Sequence, residues 1–288
     1  MPLKIDHDLC VACGSCIGNC ANRAIVRRDE RVCITDMCCD CGICLRYCPV
    51  SAIGRGSDPA ELRSAVLAPK LMDKLSLTKP PVAMKFVQTL PEDIPLEKGP
   101  HFWCGMCGDV FDGSEDPLVF TAEASTCGGC ANIGLGAHKV NRETFIAAIE
   151  TNTVGPGKLY ATNSAMTANR RSFPGFSEIA KGVIIGPLAK IERPDLVLFP
   201  VTGQQMCMVA TAFAYETGEV IQGYAGKSTC LMTVSTPLET NRPVFTAGDH
   251  GGRMFMRLAE GEILVSFPFR LIPGLVKCLD KTVYAQEK

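Results

Sequence analysis

Two runs of cysteine near the start of the chain are spaced for metal–sulfur chemistry. The first reads Cys10-x2-Cys13-x2-Cys16-x3-Cys20 and the second Cys38-x2-Cys41-x2-Cys44-x3-Cys48-Pro49. Two-residue gaps let three thiolates converge on three irons of one cubane. Gly14 and Gly42 follow the second ligand of each run, where a tight turn and a close backbone approach are needed. Each cysteine of the second run stands 28 residues after its counterpart, Cys38 after Cys10 and Cys48 after Cys20. A repeat so regular in its ligand positions is a duplicated cluster loop. Zinc modules instead use paired C-x2-C units with four ligands per site. Cys33 and Cys39 fall outside the repeat and read as small buried or loop cysteines.

Over residues 3–54 these runs resemble the bacterial-type two-[4Fe–4S] ferredoxin family. The resemblance implies that the fourth cysteine of each run crosses to the other cluster. One cluster would then be held by Cys10, Cys13, Cys16 and Cys48, and the other by Cys38, Cys41, Cys44 and Cys20. Ala21 departs from the family, which usually has proline after that fourth cysteine, and this puts the turn in question but not the ligand.

A second constellation lies further along. Cys104-Gly-Met-Cys107 and Cys127-Gly-Gly-Cys130 give C-x2-C…x19…C-x2-C, the layout of a four-thiolate site with glycines easing each bend. A third iron–sulfur cluster or a zinc would suit it; apolar core cysteines or a redox dithiol are the alternatives. Cys230 and Cys278 read as isolated buried thiols. A candidate ligand site gathers Gln204, Gln205 and Cys207 at a helix start after a buried strand, with Arg253 of the glycine-rich turn 248–253 and Lys85 as charge partners. Ordinary capping and turn roles compete for all five. His101 and His138 lie near the cysteine pairs, as ligands, proton donors or neither.

The elements that must position these residues follow from texture. Residues 1–57 are the cluster module, residues 58–80 a helical connector and residues 81–288 a larger domain. In the connector, Ser57-Asp58-Pro59 signals a helix start, and Pro69 is expected to end that helix and begin another. Beyond Pro81, Val82–Val87, Leu118–Thr121, Gly182–Ile185, Leu196–Phe199, Val220–Tyr224 and Ile263–Phe267 read as strands, and Gln204–Tyr215 and Phe269–Leu279 as helices. Helix and strand mix without strict βαβ alternation. The fold class is therefore α+β, a small ferredoxin-like two-cluster domain followed by a larger mixed α/β domain.

Net charge is −1, with no basic surplus for nucleic acid, and aromatics at 7% offer few bases a stacking platform. The N-terminus lacks an apolar h-region, and the longest apolar stretches are too short to cross a bilayer. Seventeen cysteines without an export signal point to a reducing, cytoplasmic setting with thiols as metal ligands. Walker A, G-x-S-x-G, H-E-x-x-H and a strand-linked G-x-G-x-x-G are missing from the sequence.

Residues 70–285 resemble an uncharacterised prokaryotic family, the domain of unknown function one-six-nine. The matches are Lys79-Pro80-Pro81-Val82-Ala83-Met84-Lys85-Phe86, Cys104, Cys127-Gly128-Gly129, Gly134-Leu135-Gly136, Pro187-Leu188, Pro194-Asp195, Gln204, Cys230 and Gly251-Gly252-Arg253. That resemblance carries no activity. The residues themselves lead to a low-potential iron–sulfur reductase, taking electrons from a soluble redox partner and passing them to a small-molecule or metallocofactor site in the larger domain. The alternatives are a non-enzymatic electron-transfer subunit docking on a larger redox enzyme, and a carrier of clusters or metal.

Overall fold

The computed structural model describes residues 3–38, 43–50, 52–55, 63–99, 101–124, 153–154, 157–158, 160–172, 180–226 and 229–282. Cys39, Cys41, Cys127, Cys130, His138 and the helix start at Ser57-Asp58-Pro59 lie outside them.

The cysteine repeat is matched by a repeat of elements. The first copy runs β1 (Leu3–Ile5), α1 (Ser15–Gly18) and β2 (Ile25–Arg28). The second runs β3 (Arg31–Ile34), α2 (Ile43–Arg46) and β4 (Ile53–Arg55). The copies interlock, since β1 pairs antiparallel with β4 and β2 with β3. Ile25 and Ile53, one from each copy, are buried with Leu3, Val32 and Ala52 in a small core that also takes in Cys16, Cys44 and Cys48. Gly14 caps α1 from the left-handed region, at φ 81°, where a side chain would be strained.

The connector holds one helix, α3 (Ser64–Leu75), which runs through Pro69. This corrects the expected break. An internal proline removes the bond to Ala65 and costs about 3 kcal/mol. Against that, Leu67, Leu71 and Leu75 are all buried on one stripe, each worth about 1.5–3 kcal/mol, so packing wins. Pro69 itself faces outward.

The larger domain is built on a sheet of β5 (Val82–Val87), β6 (Leu118–Phe120), β9 (Gly182–Pro187), β10 (Leu196–Val201), β11 (Gln222–Tyr224), β12 (Val244–Thr246) and β13 (Ile263–Pro268). A separate hairpin joins β7 (Thr153–Val154) to β8 (Gly157–Lys158). The sheet order is β11-β12-β13-β10-β5-β9-β6. Its neighbours are antiparallel except β11 and β12, which are parallel.

Both sheet faces are covered, which is why the central strands read as continuous apolar runs. Ala83, Val197, Phe199, Val265 and Phe267 pack on one face with α3, α6 (Gly203–Thr217) and α9 (Ile272–Leu279). Met84, Phe120, Ile185, Leu198 and Leu264 pack on the other with α4 (Trp103–Phe111) and the segment after Cys230. That segment is a π-helical stretch, Leu231–Ser235, running into α7 (Thr236–Thr240). The remaining helices are α5 (Asn163–Arg171) and α8 (His250–Phe255). Among the described residues, no helix is long and apolar enough to cross a membrane.

Candidate functional site

The first-copy cysteines are gathered around Cys16. Its thiol is buried, and burial pushes its pKa up; the nearby thiols of Cys48, Cys10 and Cys13 add to the shift. Cys48 is distant from the other three in sequence and is brought beside them by the interlocked strands. Cys13 is exposed, and the Ser15 hydroxyl 3.5 Å from its sulfur draws its pKa down. The two copies also treat their fourth cysteines alike. The Ala24 amide donates to the Cys20 sulfur at 3.3 Å, and the Ala52 amide donates to the Cys48 sulfur at 3.1 Å. Amide donors of this kind stabilise a metal-bound thiolate and tune its metal.

Of the other expected ligand set, Cys38 and Cys20 are half-buried at the edge of the module's core and Cys44 is buried in it. No three His, Cys, Asp or Glu side chains among the described residues converge tightly enough to hold a single ion. Four thiolates around one zinc must each sit about 2.3 Å from it.

Cys104 and Cys107 lie differently from expectation. Their segment is not a bent knuckle but the buried helix α4, where a three-residue separation puts both sulfurs on one face. The glycines serve close packing. A Cβ on Gly105 would overlap the His101 ring, and one on Gly108 would overlap the Phe255 backbone carbonyl. The helix is anchored by His101, whose Nε2 lies 3.0 Å from Asp109, and by Arg257, whose guanidinium bonds Asp109 and Asp112 at 3.0 Å each. The His101 Nδ1 accepts from the Phe102 amide at 2.9 Å, so both ring nitrogens are engaged in fixing the helix.

Sequence spacing gave no sign of Cys230 at this site. It joins the same buried cluster as Cys104 and Cys107, at the start of the π-helical stretch. Burial first, then the Cys230 thiol and the Asp109 carboxylate, push the Cys107 thiol far above its ordinary range. The sequence marked Cys230 as a buried thiol, but the π-helical stretch that brings it to this cluster has no signature in a single chain.

The remaining candidates are scattered. The Gln205 side chain completes a capping box with Thr202 and donates to the carbonyls of Leu75 and Ser76, at 2.8 and 3.1 Å. Arg253 is committed to the carbonyls of Ala247, Glu262 and Ala259. Lys85 donates to the Glu192 carbonyl at 3.0 Å. Gln204 and Cys207 are exposed on α6. Cys278 is buried on α9. The turn before α8 is organised by Asp249, which accepts from the amides of Gly252 at 2.7 Å and Thr229 at 2.8 Å. Turn and capping roles therefore account for Gln205, Arg253 and Lys85.

Seven strands between two helical layers, one of which includes a cysteine-bearing helix, define a mixed α+β domain. Residues 70–277 match the family DUF169, described as Uncharacterised ArCR, and the chain belongs to that family. No curated protein and no solved structure matches it.

Proposed function

We propose that the chain is an iron–sulfur electron-transfer protein with two [4Fe–4S] clusters in residues 1–57, and that it works as a low-potential reductase feeding a small-molecule or metallocofactor site in the larger domain. The observation that carries this reading is that Cys48 of the second run shares the module's small core with Cys16 of the first, with Cys10 packed against it. Two-cluster ferredoxins cross their ligands between runs in this way. The matching Ala24 and Ala52 amides, each donating to a fourth cysteine, support the same group in both copies.

Cys10, Cys13, Cys16 and Cys48 would hold one cluster, and Cys38, Cys41, Cys44 and Cys20 the other. The clusters, when bound, supply one-electron transfer at low potential. The chain's own work is to fix the sulfurs, donate amide hydrogens to them and exclude water from the Cys16, Cys44 and Cys48 side with Ile25, Ala52 and Ile53. Tethering the module to its acceptor domain makes transfer intramolecular and raises the effective concentration. Cys104 and Cys107, with Cys127 and Cys130, remain the candidate third cluster or zinc site, to which the fold adds Cys230 as a neighbour. A soluble redox protein is the expected electron donor.

The experiment is ligand exchange. Cys16→Ala should lose one cluster's paramagnetic signal, or convert it to a three-iron form, while the other signal persists. Unchanged iron content in that variant would remove the assignment.

A further inference from the structure

One side chain of the sheet domain hydrogen-bonds the module where the two meet. The 3-10 turn Phe269–Leu271 follows β13, and it and α9 pack against α2 and β4 of the module. Arg270 sits at the centre of that turn, half-buried. One guanidinium nitrogen donates to the Leu45 carbonyl of α2 at 2.8 Å. Its Nε donates to the Asn241 side-chain oxygen at 2.6 Å, and its other terminal nitrogen donates to the Asn241 carbonyl at 2.7 Å.

A four-residue helix has no intrahelical acceptor role for its last carbonyls, so Leu45 gains a partner from Arg270, and a cation there complements the helix dipole. Asn241 is the left-handed cap of α7, at φ 56°. The turn itself is pinned by the Phe269 amide donating to the Asp195 carbonyl at 3.0 Å. A guanidinium cannot lose its proton at any working pH. Its positive charge is therefore fixed against α2, which carries Cys44 and leads to Cys48 two residues beyond it, one assigned ligand of each proposed cluster.

We propose that Arg270 is a positioning residue that docks the module on the sheet domain through α2 and raises the reduction potential of the cluster nearest that helix. The proposal rests on the iron–sulfur reading. A reduced cluster carries one more negative charge than an oxidised one, and a fixed cation close by favours the reduced form. The docked face, α2 and β4, is where electrons leave the module. Cys13 and Val11 on the first cysteine loop are exposed, Val11 at 63%, and offer a surface to a donor.

The test uses the full chain purified without oxygen. Arg270→Gln removes the charge, Arg270→Lys keeps it without the fork, and Asn241→Gly keeps the left-handed cap while releasing one side of the fork. The expected result is a downward shift in the midpoint of one of two cluster signals in Arg270→Gln, with Arg270→Lys close to the parent. Amide exchange across residues 43–48 should rise in Arg270→Gln and in Asn241→Gly. A purely structural contact would change the exchange and leave both midpoints alone, which overturns the electrostatic half. Unchanged exchange in both variants overturns the docking. Parent protein without iron would end the cluster reading and the potential shift with it, while the exchange comparison would still decide the dock.

Discussion

Gly108 shows how far a single hydrogen atom governs the sheet domain. Helix α4 lies so close to the end of α8 that a Cβ on Gly108 would meet the Phe255 carbonyl and the Arg257 side chain. Backbone cannot yield cheaply, so Gly108→Ala should cost about 1–3 kcal/mol by overpacking. Gly203, which has open space at its Cβ position, is the control, and Gly203→Ala should be neutral within a few tenths of a kcal/mol. Equal melting temperatures for the two variants would contradict the close approach. Cys107 supplies the pH dependence. Its thiol is held neutral by burial, so the folded state keeps a proton that the unfolded chain releases above about pH 8.5. Stability from this group is complete below that pH and falls as pH rises further. Thermal scans should show the sheet domain losing stability above about pH 8.5, with a flatter profile in Cys107→Ala. The buried state also predicts that alkylation reaches exposed Cys207 well before Cys107. The repeat in the N-terminal module was legible, because a constant 28-residue offset stands in the sequence itself and the elements repeat with it. Cys230 was not, because its approach to Cys107 depends on tertiary packing.

At the scale of elements, apolar periodicity located the strands well. Val82–Val87 is β5 to the residue, and Leu196–Val201 and Ile263–Pro268 extend the predicted runs only at their ends. These strands are buried on both faces and announce themselves by continuous apolar sequence. Two helices were misread for opposite reasons. Residues 104–107 suggested bends because of their glycines, which in fact admit neighbouring atoms to a helix surface. Pro69 suggested a break, and the Leu67, Leu71 and Leu75 stripe overrode it. Because Pro69 is exposed and lies inside α3, Pro69→Ala should restore a backbone bond without disturbing packing. The gain should be about 1–2 kcal/mol after allowing for the looser unfolded chain. A urea midpoint that does not rise would argue for a helix already adapted around the proline. The π-helical stretch after Cys230 had no sequence signature, since a one-residue change of hydrogen-bond register leaves composition untouched.

At the scale of the molecule, two bodies differ in what holds them together. The sheet domain has two broad apolar layers and needs no cofactor to bury them. The module has a short core in which cysteine side chains occupy places that larger apolar residues would fill in a self-sufficient domain. A unit of about 57 residues buries too little surface to be secure alone, so the proposed clusters would act as its staples. Iron chelation should then unfold residues 1–57 and leave the sheet's amide protection largely intact. A single joint transition with and without iron would contradict that division. The cysteine helix α4 lies on the sheet face opposite α9, the helix that receives the module. The helical segment from Cys230 to Thr240 begins in the cluster that holds α4 and is followed by Asn241, which bonds Arg270. The claim on which all of this depends is that the repeated cysteines hold two cubanes. It is tested most directly by counting iron and acid-labile sulfide in protein purified without oxygen. The account predicts about eight of each per chain, or about twelve if the cysteines of α4 join a third cluster. Zinc in place of iron, or iron without sulfide, would contradict it.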